Sequence, residues 1–71
     1  MKPQAAPSNV MLSRREVEIR VGLKKGAILK RIAEGTFPAP VNLGYWNSQG
    51  WLASEVDAWV AARIAERDQQ S

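Results

Sequence analysis

Apolar residues recur at helical spacing in the first half of the chain and predict two short helices. Ser13 and Glu16 have the spacing of a capping box, which opens a helix that Gly22 ends. A second helix is predicted over about 24–34, with Gly35 as its stop. Two short helices joined by a glycine-containing turn predict a helix-turn-helix. The inner apolar stripe of the second helix is expected to contain Ile28, Leu29 and Ile32.

The pattern changes after Pro40. Positions 41–43 and 50–52 alternate in polarity and predict a small β-hairpin, whose loop contains turn formers that include Gly50. Ser54 opens a second capping signature, and a third helix is expected to run to about Arg67. The inner stripe of this third helix is expected to contain Val56, Trp59, Val60 and Ile64.

This order of elements predicts a mainly α domain with a small β-hairpin, a winged helix-turn-helix with a two-stranded wing and a C-terminal helix. We expect a flexible N-terminal tail over residues 1–10, the domain over 11–67 and a frayed end over 68–71. The expected core residues are Leu12, Val17, Val21, Leu23, Ile28, Ile32, Phe37, Val41, Leu43, Trp51, Val56, Trp59 and Val60.

Composition narrows the range of functions. The 71 residues include neither Cys nor His, which removes the usual nucleophile, the usual general bases and the commonest metal ligands. We therefore expect no enzymatic activity, no catalytic residues and no metal site. The start of the chain lacks the apolar run of a signal peptide, and no stretch is long and apolar enough for a membrane span. A soluble, cytoplasmic protein is the expectation.

Charge is unevenly distributed, although the formal net charge is only +3. Residues 12–35 carry seven cations and three acids, a balance of +4, whereas residues 53–71 carry two cations and four acids, a balance of −2. A basic half beside an acidic end favours docking on a polyanion by one face. Two solvated helix faces would produce the same counts, and charge alone leaves both interpretations open.

An ordered series of short motifs runs through the predicted elements. Its members are Leu12-Ser13-Arg14-Arg15-Glu16-Val17, Gly22-Leu23, Ile28 to Ile32, Glu34-Gly35-Thr36-Phe37-Pro38, Pro40-Val41-Asn42-Leu43-Gly44, Gly50-Trp51 and Ser54-Glu55-Val56-Asp57-Ala58-Trp59. Over about residues 11–65, the series resembles the AlpA family of phage and prophage transcriptional regulators, which is similar to the excisionases and to the DNA-binding heads of MerR-type regulators. The resemblance implies a sequence-specific regulator in the bacterial cytoplasm, associated with the nucleoid, that binds double-stranded DNA and needs no cofactor or small-molecule ligand.

The second helix would then enter the major groove as the recognition helix. Its candidate DNA contacts are Lys24, Lys25, Ala27, Lys30 and Arg31. Arg31 suits a bidentate contact with guanine, and Ala27 suits a thymine methyl. Lys24 and Lys25 are expected at phosphates. The alternative is a solvated helix face on which Arg31 pairs with Glu34.

Further contacts are expected outside this helix. Arg14 and Arg15 open the first helix, where the helix dipole disfavours cations, and phosphates would explain their placement as well as simple exposure would. The family usually carries small hydroxyl residues where Lys24, Gly26 and Ala27 stand, and a basic residue after the position of Gly44. This chain's wing instead has the uncharged candidates Tyr45, Trp46, Asn47 and Ser48.

Two other functions fit the same sequence. One is an excisionase-like architectural factor that bends DNA and assists a recombinase. The other is a protein-interaction module that uses Tyr45, Trp46 and the acidic third helix. Candidate partners besides DNA are a second copy of the chain on DNA, a recombinase and RNA polymerase.

Overall fold

The computed structural model describes residues 10–44 and 48–70, which form three helices and three short strands. In chain order these are β1 (Met11–Leu12), α1 (Arg14–Val21), α2 (Lys25–Glu34), β2 (Val41–Asn42), β3 (Gln49–Leu52) and α3 (Ala53–Gln70). The predicted mainly α fold with a small β-hairpin is therefore confirmed. The expected tail lies almost wholly outside the described residues, as do positions 45–47 of the wing and position 71.

The ends of the first two helices follow from local chemistry. The Ser13 hydroxyl accepts the Glu16 amide at 3.2 Å, and the Glu16 carboxylate accepts the Ser13 amide at 2.8 Å, so the predicted capping box is formed. Gly22 ends α1 in the left-handed region at φ 72°, where its amide donates to the Glu18 carbonyl. Gly35 ends α2 in the same way at φ 77°. The turn between α1 and α2 therefore begins at Gly22 and spans only residues 22–24.

The sheet has one more strand than the sequence predicted. Its order is β1-β3-β2, with Leu12 opposite Trp51 on one side and Val41 opposite Gly50 on the other, both pairings antiparallel. A two-residue strand has too few positions to show alternation, which is why β1 escaped the pattern. Gly50, expected in the hairpin loop, instead lies buried within β3. A Cβ at Gly50 would lie 3.0 Å from Cε of Met11, so the end of the Met11 side chain would have to shift to admit one.

The third helix begins earlier and ends later than its sequence signals predicted. It starts at Ala53 directly after β3, so Ser54 lies inside the first turn and does not precede the helix. The Ala53 amide donates to the Val10 carbonyl at 2.9 Å. At the other end, α3 continues through Gln70, three residues beyond the expected boundary at Arg67. Its last ten residues are exposed and extend past the core.

A small core joins the helices to the sheet. Val41 and Leu43, expected inside, are 40% and 37% exposed because β2 is an edge strand, and Ile64 is 46% exposed because it lies beyond the core. Val21, Leu23, Ile32 and Trp59 pack against the core while partly buried. Ala53 is a buried residue that the sequence pattern did not single out. The buried residues are Leu12, Val17, Ile28, Phe37, Trp51, Ala53 and Val56.

Two indole groups fix the connection between α2 and β2. Nε1 of Trp51 donates to the Pro38 carbonyl at 3.0 Å, and Nε1 of Trp59 donates to the Thr36 carbonyl at 2.6 Å. Between these two acceptors, the Phe37 ring meets the Trp59 ring edge-on, with centroids 4.9 Å apart. Because this connection begins where α2 ends, these contacts hold the C-terminal end of α2 against the core.

Candidate nucleic-acid interface

The N-terminal end of α2 is free of negative charge. Lys24 is its N-cap residue, yet no side chain caps the helix by a hydrogen bond, and no acidic residue lies in the first turn. Lys24 and Lys25 are both exposed there. The unpaired amides and the positive end of the helix dipole therefore face solvent beside two cations, an arrangement that favours an anionic partner.

The outward face of α2 differs from the face that the sequence pattern suggested. Ile28 is fully buried and Ile32 is half-buried, which places the inner side of the helix at these two residues. At about 100° per residue, the opposite side carries Gly26, Lys30, Ala33 and Glu34, with Leu29 at its edge, and all five are exposed. Leu29, expected on the inner stripe, is 48% exposed, and that expectation was wrong.

Ala27 and Arg31 lie at the border between the two faces. Both are half-buried, and Nη1 of Arg31 donates to the Ala27 carbonyl one turn earlier at 3.3 Å. In the described part of the chain Arg31 forms no ion pair with Glu34, so the alternative pairing considered for it is absent. The guanidinium is instead folded along its own helix by one long hydrogen bond.

The described cations fall into two groups, those that have an acidic partner and those that have none. Arg14 pairs with Glu18 at 3.2 Å, and Arg20 pairs with Asp57 of α3 at 3.1 Å. Both arginines of α3 are also paired, Arg63 with Glu66 and Arg67 with Asp68. The described cations that have no acidic partner within 4.0 Å lie between residues 15 and 31: they are Arg15, Lys24, Lys25, Lys30 and Arg31.

Two of these unpaired cations meet at one cleft. Arg15 of α1 and Lys24 at the start of α2 both line a cleft beside Gly22, together with Glu18 and Ile19. Because the Glu18 carboxylate is paired with Arg14, the cleft keeps a net positive charge. The turn of the helix-turn-helix thus brings the first-helix candidate Arg15 close to the uncapped end of α2, whereas Arg14 has an intramolecular partner.

The Glu16 carboxylate stabilises the N-terminal end of α1. Hydrogen bonds from the Ser13 amide and hydroxyl lower the pKa of the Glu16 carboxyl below its ordinary value of 4.5, since they favour its charged form. This ionised carboxylate also interacts favourably with the dipole at the N-terminus of α1, where Arg14 and Arg15 interact unfavourably.

The wing contributes one described candidate. Ser48 is half-buried, and its carbonyl accepts the Leu43 amide at 3.0 Å, which extends the β2–β3 pairing toward the loop. The remaining wing candidates, Tyr45, Trp46 and Asn47, lie outside the described residues.

Other kinds of site find no support in the described residues. No group of three or more acidic side chains converges there in a way that could hold a metal ion, and the sequence contains no Cys or His. None of the described helices has the length and apolar character needed to cross a membrane.

Leu29 is the residue that reasoning from the sequence misplaced, and a signal for it was available. Ile28 and Ile32 lie one turn apart and define the inner direction, and Leu29 is turned about 100° away from Ile28. The prediction placed Ile28, Leu29 and Ile32 on one stripe and so overlooked the angle between Leu29 and Ile28. Gly26, which precedes Leu29 by about one turn, was likewise not considered as part of the outward face.

The element order and the packing of α2 against α1 define a class, the small winged helix-turn-helix domain. The family described as Prophage CP4-57 regulatory protein (AlpA) matches residues 7–64, so the chain belongs to the AlpA family. This is a family of regulatory proteins and not of enzymes.

The chain is also similar to a protein of Enterobacteria phage P4, called "Uncharacterized protein ORF88". The two are 48% identical over 52 residues, which cover 73% of this chain. The match spans 58% of the phage protein's length.

Proposed function

We propose that this chain is a sequence-specific regulator of transcription, of phage or prophage type, that binds duplex DNA with α2 in the major groove. The observation that carries the proposal is the position of the unpaired cations. Within the described residues, cations outside 15–31 have an acidic partner, while five inside that segment have none. An intramolecular pair weakens a cation's attraction for phosphate, so the unpaired cluster is the surface best suited to a polyanion.

The contacts can be assigned by place. Arg15 and Lys24 line the cleft beside the turn, and Lys25 and Lys30 are exposed on α2, so we assign these four to phosphates. Arg31 is the candidate for a guanine edge. Its single hydrogen bond to the Ala27 carbonyl is long, at 3.3 Å, and a bidentate contact with guanine would replace it with two charge-assisted bonds.

The family supports the regulatory part of this proposal. Membership of the AlpA family makes the chain a regulatory protein of phage type, and a helix-turn-helix acts on DNA through its second helix. We assign α1 and the wing supporting roles. A ten-residue recognition helix contacts few base pairs, so a second copy on DNA is the partner expected to extend the site.

Selection of bound sequences from a random duplex pool tests this function. The parent should enrich one half-site or a spaced pair, and it should bind the selected duplex at least about a thousandfold more tightly than an unrelated duplex. Arg31→Ala should reduce this ratio by about 5- to 150-fold at one base pair, corresponding to the loss of a bidentate contact. A folded parent that enriches no sequence would contradict the assignment.

The selected duplex also distinguishes a transcriptional regulator from an architectural factor that bends DNA. A circular-permutation gel shift measures whether the bound DNA is bent. A site at a promoter with little bending is the result expected for a regulator, whereas a strong bend at a recombination site would favour the excisionase-like factor.

A further inference from the structure

The outward face of α2 has a distinct shape. Leu29, about 100° around the helix from the buried Ile28, is 48% exposed at one edge of this face. Gly26 lies three residues before it and Ala33 four residues after it, so both share its side of the helix. Neither has a side chain larger than a methyl group, and a Cβ at Gly26 would meet no other atom within 4 Å. Leu29 is therefore an apolar side chain that projects between two low positions.

Two lysines flank this apolar strip. At about 100° per residue, Lys25 lies to one side of the line through Gly26, Leu29 and Ala33, and Lys30 lies to the other. Both lysines are exposed, and neither has an acidic partner among the described residues. The strip thus places an apolar side chain between two lysines, with the exposed Glu34 beyond Lys30.

The major groove of B-DNA has the complementary pattern. It is wide enough for a helix, its two walls carry phosphates, and the apolar group on its floor is the C5-methyl of thymine. The minor groove is too narrow for a helix, and the major groove of an RNA duplex is too deep and narrow to read. An acidic protein surface would match the lysines, yet it would leave the projecting leucine without an apolar contact.

We propose that Leu29 is a specificity-determining residue that packs against the C5-methyl group of a thymine, while Lys25 and Lys30 bind the phosphates on either side. This inference rests on the proposed function and assigns it a base preference. It also transfers the thymine contact expected of Ala27 to Leu29, whose side chain is longer and more exposed.

Replacing thymine by deoxyuridine tests the contact, since the substitution removes the methyl group and keeps every hydrogen-bonding atom of the base. Each thymine of the selected duplex is replaced in turn, and the Kd is measured by fluorescence anisotropy. At one or two positions the parent should bind about three- to fivefold more weakly, as expected for losing one buried methyl group. Leu29→Ala should bind the thymine and uracil duplexes equally at those positions.

Ile64→Ala is the matched control. Ile64 is 46% exposed on α3, so this variant also removes an exposed aliphatic side chain, and it should keep the parent's sensitivity to uracil. Circular dichroism verifies that both variants are folded. If Ile64→Ala loses the sensitivity as Leu29→Ala does, the contact is not specific to Leu29.

The possible negative results distinguish an error in the Leu29 contact from an error in the proposed function. If the parent binds its selected duplex tightly but tolerates uracil at every position, the Leu29 contact is wrong and the proposed function stands. If the folded parent binds no duplex even at low salt, the proposed function fails and the contact fails with it. If the free parent is a dimer that Leu29→Ala dissociates, the exposed strip is a surface between two copies and the proposal is overturned.

Discussion

Replacing Trp51 or Trp59 by phenylalanine removes the same indole N–H from two different environments. Trp51 is 2% exposed and donates to the carbonyl of Pro38, which is itself half-buried. Trp59 is half-buried and donates to the carbonyl of Thr36, which is exposed. Because water can reach only the second acceptor readily, the two variants separate the contribution of a buried hydrogen bond from that of an exposed one.

The magnitudes follow from these environments. Trp51→Phe leaves a shielded carbonyl without a donor, which costs about 1–3 kcal/mol, and the smaller ring adds a cavity term of about 24 cal/mol per Å³. We expect a total loss of about 2–4 kcal/mol. For Trp59→Phe the acceptor can bind water and a ring remains beside Phe37, so about 0.5–1.5 kcal/mol is expected.

Thermal and urea unfolding followed by far-ultraviolet circular dichroism measure this difference. For a domain of about 60–100 residues, 1 kcal/mol lowers Tm by about 4–8 °C, so Trp51→Phe should melt at least about 8 °C below the parent. Equal losses in the two variants, or a larger loss for Trp59→Phe, would refute the account of how these indoles hold the α2–β2 connection.

Two further predictions concern folding and one depends on pH. Gly50→Ala should cost the domain about 1 kcal/mol or less, because Cε of Met11, 3.0 Å from the new Cβ, ends a flexible side chain that can shift. Gly26→Ala is its control, and should stabilise α2 by about 0.5–1 kcal/mol in urea unfolding, since the space there is open. Ser13→Ala should cost about 0.5–2 kcal/mol by loss of the N-cap, and unchanged stability would contradict the capping box. The pKa of Glu16 is lowered in the folded state, so its contribution to stability is present above pH 4.5 and is lost as pH falls through the lowered value. Glu16→Gln should therefore lose less stability than the parent as the pH is lowered, measured as the free energy of unfolding at each pH. An equally steep fall in both proteins would contradict this prediction.

Features that depend on neighbours in sequence were the predictable ones. The capping box of Ser13 and Glu16 and the left-handed ends at Gly22 and Gly35 need only residues within one turn, so the first two helices followed from the sequence. The hairpin also followed from short-range alternation. The candidate cations of the basic segment were visible as a charge cluster, although their pairing was not.

Features set by tertiary contact escaped the pattern. Strand β1 exists because Met11 and Leu12 pair with the distant β3, and the Ala53 amide at the start of α3 donates to the Val10 carbonyl. The exposure of Leu29 and the half-burial of Arg31 depend on the rotation of α2 against the core. A small error in the predicted rotation changes which residues face DNA. The sequence alone therefore did not identify the recognition face.

The salt dependence of binding to the selected duplex tests the central claim most directly. The four unpaired cations assigned to phosphates predict a slope of log K against log salt of about −3.6 for each bound copy. Lys30→Ala should make this slope shallower by about 0.9. Arg67→Ala removes the same charge from α3, where Arg67 is paired with Asp68, and should leave the slope unchanged. An equal change in both variants, or no change in either, would contradict the assignment of DNA binding to α2.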